Sequence, residues 1–167
     1  MPDIRTIIPD LFSLPLASIL DCGCGSLPVS LSIPAKFRVG IDVLPHALLC
    51  AAAHGDRIFV MNLNMMSIGD VFLPHSFSLA LFTDSLEHIP FIDAKHVIAT
   101  AKNIATTVVA FIPEGSTGDN PWDAGYFKHK HHWSEQDCRD AGFDTVDRYP
   151  NYHGEGQGAF LATYGLM

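Results

Sequence analysis

Two acids and two glycines carry the first chemical signal. Asp21 opens the run Asp21-Cys22-Gly23-Cys24-Gly25 directly after the apolar pair Ile19-Leu20. Asp42 follows 21 residues later, after Val39-Gly40-Ile41. Glycines where a strand turns into a helix let the backbone approach a ligand closely, and the start of that helix attracts negative charge. An acid about 20 residues further on is placed to accept hydrogen bonds from ribose hydroxyls. Together they predict a nucleoside-type cofactor. A bare glycine turn and a surface Asp at a strand end would look the same one at a time, so the weight rests on their spacing.

A second constellation combines Asp119-Asn120-Pro121 with His129, His131, His132 and Trp133. A third is Glu87-His88, just after the apolar run Phe77–Thr83. Imidazole accepts a proton near neutral pH, which suits it to work on an acceptor hydroxyl. The three clustered histidines also admit a zinc reading. Zinc needs three or four ligands with supporting groups, and no Cys pair or His-Glu-x-x-His pattern accompanies them. The reading adopted from sequence therefore assigns no metal. Met61, Met65, Met66 and Phe72 suit either core packing or an apolar sandwich for a purine.

These groups need elements to hold them. Ser18–Asp21, Phe37–Asp42, Ile58–Asn62, Phe77–Thr83 and Thr106–Phe111 read as short buried strands, two of them ending in an acid. Pro45–His54 reads as a helix stopped by Gly55, and Ile92–Ile104 as a helix burying Val97, Ile98, Ala101 and Ile104. Ser134 caps a helix running to Ala141 and stopped by Gly142. After the first strand, Ser26 is expected to cap a helix of about two turns, with Pro28 inside it and Pro34 ending it. Pro113–His132 reads as a long functional loop. Phe143–Tyr149 and Ala159–Leu166 read as a closing antiparallel hairpin across the turn residues Asn151–Gly158. Alternating strands and helices make this a parallel-sheet α/β pattern.

Composition sets the outer bounds. The 167 residues suggest one domain spanning 1–167. Hydrophobic residues are 48% and charged residues 17%, which excludes disorder. Eighteen acids against ten Lys and Arg give a net charge of −8, with no basic cluster. Such a chain is poorly suited to track a phosphate backbone or an anionic membrane, so neither nucleic acid nor membrane is expected as a partner. Mean hydropathy is +0.20, yet no apolar run approaches the roughly 18–20 residues that span a bilayer. Nothing at the start reads as a signal peptide, and four scattered Cys read as reduced thiols, so a cytoplasmic location is expected.

In these residues the chain resembles the class I S-adenosylmethionine-dependent methyltransferases, from about Ser18 to Leu166. Leu20–Gly25 looks like that family's first motif, and Gly40-Ile41-Asp42 like its ribose-binding acid. Asn62-Leu63-Asn64 looks like the segment facing adenine. Asp84-Ser85-Leu86-Glu87-His88-Ile89-Pro90 resembles the motif after the fourth strand, where Leu-Glu-His is frequent. Two positions depart from the pattern. Leu27 stands where a third glycine is usual, and its bulk is expected to press the following helix away from the cofactor. Ser78 stands where the fourth strand often starts with an acid.

The resemblance implies a three-layer Rossmann-like fold, with a mostly parallel seven-stranded sheet and an antiparallel final strand. It implies S-adenosylmethionine as cofactor, held by Asp21, Gly23, Cys24, Gly25, Asp42, Val43, Asn62, Leu63 and Asp84. It implies a small-molecule or sugar-like acceptor contacted by Glu87, Asn120 and Trp133, with His88 and His129 as catalytic groups. The alternative is a catalytically inactive binding module on the same fold. A dinucleotide oxidoreductase or a His-metal hydrolase comes third, and the motif after the fourth strand speaks against the oxidoreductase. The oligomeric state is not written in the sequence.

Overall fold

A computed structural model describes residues 3–115 and 128–166. A short helix α1 (Ile4–Ile7) precedes β1 (Leu16–Cys22) and β2 (Ala35–Asp42). Helix α2 (Ala47–His54) leads to β3 (Phe59–Asn62), and α3 (Ile68–Val71) to β4 (Phe77–Thr83). Helix α4 (Phe91–Ile104) feeds β5 (Ala105–Pro113). Helix α5 (Glu135–Asp140) then leads to the hairpin β6 (Thr145–Gly154) and β7 (Gln157–Tyr164).

The seven strands form one sheet in the order β3-β2-β1-β4-β5-β7-β6. The first five pair in parallel, and β7 runs antiparallel to both β5 and β6. Strand order reverses between β1 and β4, so the chain leaves these two neighbours in opposite directions. That divergence opens a crevice at their carboxyl ends, where ligands bind in open α/β sheets.

The central strands are buried on both faces, which explains their continuous apolar runs. Alternate residues serve two cores. Ala80, Phe82, Val108 and Ala110 pack with Val97, Ile98, Ala101 and Ile104 of α4. Leu79, Leu81, Val109 and Phe111 pack with Ile4, Ile8, Val29 and Ile33 on the other face. Helix α4 thus buries the stripe expected from its periodicity, and Ile92 on its outer side is 72% exposed. Helix α5 begins in a capping box. The Ser134 hydroxyl accepts from the Asp137 N–H at 3.2 Å, and the Asp137 carboxylate accepts from the Ser134 N–H at 2.9 Å. Such caps contribute about 1 kcal/mol.

One expected element is absent as such. Between β1 and β2 the chain makes only a single 3-10 turn, Val29–Ser32, rather than a two-turn helix capped by Ser26. Pro28 sits in the extended region at φ −59°, ψ 129°, so helical geometry starts only after it. Pro34 follows too soon for a second turn. Leu27 is consequently 67% exposed on the outer surface rather than pressed against the crevice.

Candidate active site

The crevice encloses about 300 Å³, at the lower end of small-molecule sites. Its floor is the loop after β1. Gly23 and Gly25 take positive φ values of 76° and 56°, a region that costs other residues energy. A side chain on Gly23 would also meet the Ser85 Cβ at 2.7 Å, whereas one on Gly25 would enter open space. The amides of Gly23, Cys24 and Gly25 point into β2. Gly23 and Cys24 donate to the Ile41 carbonyl at 2.8 and 3.1 Å. Gly25 donates to the Asp42 carboxylate at 2.9 Å.

Asp42 is the hub of one wall. Its second oxygen accepts from the Leu44 N–H at 2.8 Å, so one side chain fixes the loops after β1 and β2. Each carboxylate oxygen keeps a further acceptor position, and Asp42 lines the crevice together with Val43 and Leu44. Ile41, Leu63, Met65 and Ile89 give that space apolar surfaces. The opposite wall follows β4. Asp84 holds φ +46°, a conformation Asp tolerates better than most residues, and its amide donates to the Phe111 carbonyl at 3.0 Å. One Asp84 oxygen lies 3.7 Å from His153 Nε2. Ser85 and His88 continue the wall, and Lys130 closes the far end.

Behind His88 lies a buried polar group. Glu87, in the 3-10 turn Leu86–His88, is 1% exposed. Its Oε1 is 3.5 Å from His88 Nε2, and the His88 and His129 rings meet edge to face with centroids 5.1 Å apart. Burial pushes the Glu87 carboxyl up to about 8, with the nearby Asp84 adding to the rise, so Glu87 is largely protonated at neutral pH. The Glu87 carbonyl accepts the amides of Lys130 at 2.8 Å and His131 at 3.3 Å. These bonds tie the segment before α5 to the end of β4, which is how residues 40 positions apart come to share one site.

The geometry has known counterparts. No protein-family model matches the chain, and no curated protein sequence matches it. Solved structures do. The 1,6-didemethyltoxoflavin N1-methyltransferase of Burkholderia thailandensis, with bound 1,6-didemethyltoxoflavin and S-adenosylhomocysteine, superposes at TM-score 0.68 and 17% identity. The match covers 96% of this chain and 75% of that one. The N-methyltransferase NodS of Bradyrhizobium japonicum matches at TM-score 0.67 and 17% identity, over 95% and 92% of the two chains. The chain has the class I methyltransferase fold. The [4+2]-cyclase SpnF shares this methyltransferase fold at TM-score 0.71 and 15% identity, over 96% of this chain and 79% of that one. The fold therefore does not fix the reaction, which has to be argued from the site.

Of the residues singled out from sequence, Gly23, Gly25, Asp42, Val43, Leu63, Asp84 and His88 line the crevice. Three others stand behind it. Asp21 is fully buried and accepts from the Ser30 N–H at 3.2 Å, holding the turn between β1 and β2. Cys24 is buried and packs over Gly40, where any side chain would collide with its sulfur. The Asn62 amide donates to the Val43 carbonyl at 3.2 Å and braces the loop after β2.

Glu87 and His129 group behind His88. Trp133 is 1% exposed and packs against Phe91 and His131. Asn120 lies outside the described residues. His131 stacks on Phe91 with centroids 4.6 Å apart, beside Asp137, so it packs rather than faces the crevice.

Sequence reasoning missed Leu44, His46, Ser85 and Lys130 as lining residues, whereas Asn64 belongs to the segment it expected to face adenine. Ser85 is an immediate neighbour of a residue it did select. Lys130 carried no signal, because only the bonds to the Glu87 carbonyl bring it to the crevice.

Proposed function

We propose that the chain is an S-adenosylmethionine-dependent methyltransferase acting on a small-molecule acceptor. The carrying observation is how the loop after β1 spends its amides. Phosphate and pyrophosphate sites need free backbone N–H groups and the N-terminus of a helix. Here the amides of Gly23, Cys24 and Gly25 are committed to Ile41 and Asp42, and a 3-10 turn replaces the helix. Two carboxylates, Asp42 and Asp84, line the same space. That favours a nucleoside with hydroxyls and an ammonium group over a dinucleotide.

The residues present fit such a cofactor. The free acceptor positions of Asp42 suit the ribose hydroxyls, and Gly25 leaves open space beside them. Ile41, Leu63 and Met65 offer apolar faces to adenine. Asp84 supplies negative charge for an ammonium group. Asp21, Cys24 and Asn62 act at one remove, by holding the loops. When bound, S-adenosylmethionine supplies an electrophilic methyl group on a sulfonium with a good leaving group. The chain's own task is then mainly to position the acceptor. His88 stands at the acceptor end, within reach of a proton released by a hydroxyl or amine.

Turnover is measured by release of S-adenosylhomocysteine across a panel of small hydroxyl and amine acceptors. His88→Ala should retain cofactor affinity and lose turnover on any acceptor the wild type uses. Full turnover in His88→Ala would remove His88 from the mechanism. Cofactor binding without turnover on any acceptor would instead point to a binding module.

A further inference from the structure

Glu87, His88 and His129 bring one carboxylate and two imidazoles together, with one ligand atom from each lying within 4.8 Å of the other two. We propose that this trio is a binding site for a divalent transition-metal cation. Two histidines and one carboxylate match the ligand preference of zinc and of iron(II), and three protein ligands leave a position open. With arms of about 2.0–2.1 Å, tetrahedral ligand atoms stand about 3.4 Å apart. Glu87 Oε1 and His88 Nε2 already stand 3.5 Å apart. His129 has to close in by at most about 1.4 Å, from a segment that is tied to the Glu87 carbonyl rather than locked in a helix.

A second observation points to a ligand here. The Glu87 side chain is 2% exposed, and its Oε2 has no hydrogen-bond partner among the described residues. A buried carboxylate oxygen left without a partner is costly and rare, and an ion is one of the few things that accounts for it. Nothing in the sequence spacing announced this set. The clustered His129, His131 and His132 suggested a different trio, and the structure separates them by stacking His131 on Phe91.

His88 also lines the crevice, so a cation at the trio sits at the acceptor end. Its role there rests on the methyltransferase reading: it would lower the pKa of a bound acceptor hydroxyl, with His88 a ligand in the metal-loaded protein and a proton acceptor in the metal-free one. Its existence does not rest on that reading, and the test separates the two. Protein freed of metal by chelator is titrated with Zn(II) by calorimetry and with Co(II) by visible absorption.

One equivalent should bind, with cobalt bands of low coordination number. Glu87→Gln and His129→Ala should each weaken Zn(II) by about 100-fold or more. His96→Ala, on the exposed face of α4, should leave it unchanged. Thermal unfolding confirms that the variants fold, and Glu87→Gln keeps the shape of the protonated acid. S-adenosylhomocysteine affinity should be unchanged in both site variants. No stoichiometric Zn(II) binding by the wild type, or equal binding by Glu87→Gln and His129→Ala, overturns the proposal. Loss of S-adenosylhomocysteine binding with intact Zn(II) binding would leave the metal site standing and defeat the methyltransferase reading.

Discussion

Replacing Asp21 with Asn separates a structural acid from a cofactor-binding one. The Asp21 side chain is sealed under the loop after β1, and one of its oxygens has no partner among the described residues. Burial raises its pKa from 3.8 to about 6, against the opposing bond from Ser30. The folded state thus binds this proton more tightly than the unfolded chain does. The associated stability is fully present below about pH 4 and is lost as pH rises through 6. A rise from 3.8 to about 6, at 1.36 kcal/mol per pH unit, makes the complete loss about 3 kcal/mol. About 2 kcal/mol of it falls between pH 4.5 and pH 8.

Asp21→Asn carries no charge at any pH and keeps an oxygen for the Ser30 N–H. Urea unfolding of both proteins at several pH values isolates the term, because groups away from Asp21 titrate alike in the two. The stability of the wild type relative to the variant should fall by about 2 kcal/mol from pH 4.5 to pH 8. S-adenosylhomocysteine affinity at neutral pH should be the same in both. A difference in stability that does not change with pH would refute the buried-acid argument. A large loss of affinity would put Asp21 back among the cofactor contacts.

Three further outcomes follow from the same geometry. Asp42→Ala removes a charge-assisted acceptor and the anchor of Gly25 and Leu44, and should weaken S-adenosylhomocysteine by about 1–3 kcal/mol in calorimetry. Gly23→Ala combines positive φ with a 2.7 Å clash on Ser85 and should cost about 2–4 kcal/mol in chemical unfolding, against about 1–2 for Gly25→Ala, whose side chain enters open space. Trp133→Ala opens a cavity in the core and should cost about 3–5 kcal/mol of stability, so any loss of turnover in it would report folding rather than acceptor contact.

What was legible in the sequence was what local chemistry dictates. Apolar runs ending in Asp21 and Asp42 located the strand ends, and Ser134 and Gly142 marked both ends of α5. The floor of the crevice followed from the glycines and from the residue after the β2 strand end.

What depended on contacts across the chain was not legible. The sign of Asp21 could not be read, because facing a ligand and facing the core differ only by which way the loop amides turn. Leu27 looked obstructive because a helix was expected after Ser26, and Pro28 and Pro34 prevent that helix. Trp133 looked like an acceptor contact beside three histidines, and its size instead took it into the core. The Glu87–His88–His129 group is assembled by two backbone bonds from residues 130 and 131, which leave no periodic trace.

The central claim is that the crevice between β1 and β4 holds a nucleoside cofactor without phosphates. A calorimetric titration of the wild-type chain with S-adenosylhomocysteine, run beside one with NAD, tests it most directly. The account predicts saturable one-to-one binding of S-adenosylhomocysteine and no measurable heat with NAD. Binding of NAD in preference, or no heat and no thermal shift with S-adenosylhomocysteine at millimolar concentration, would contradict it.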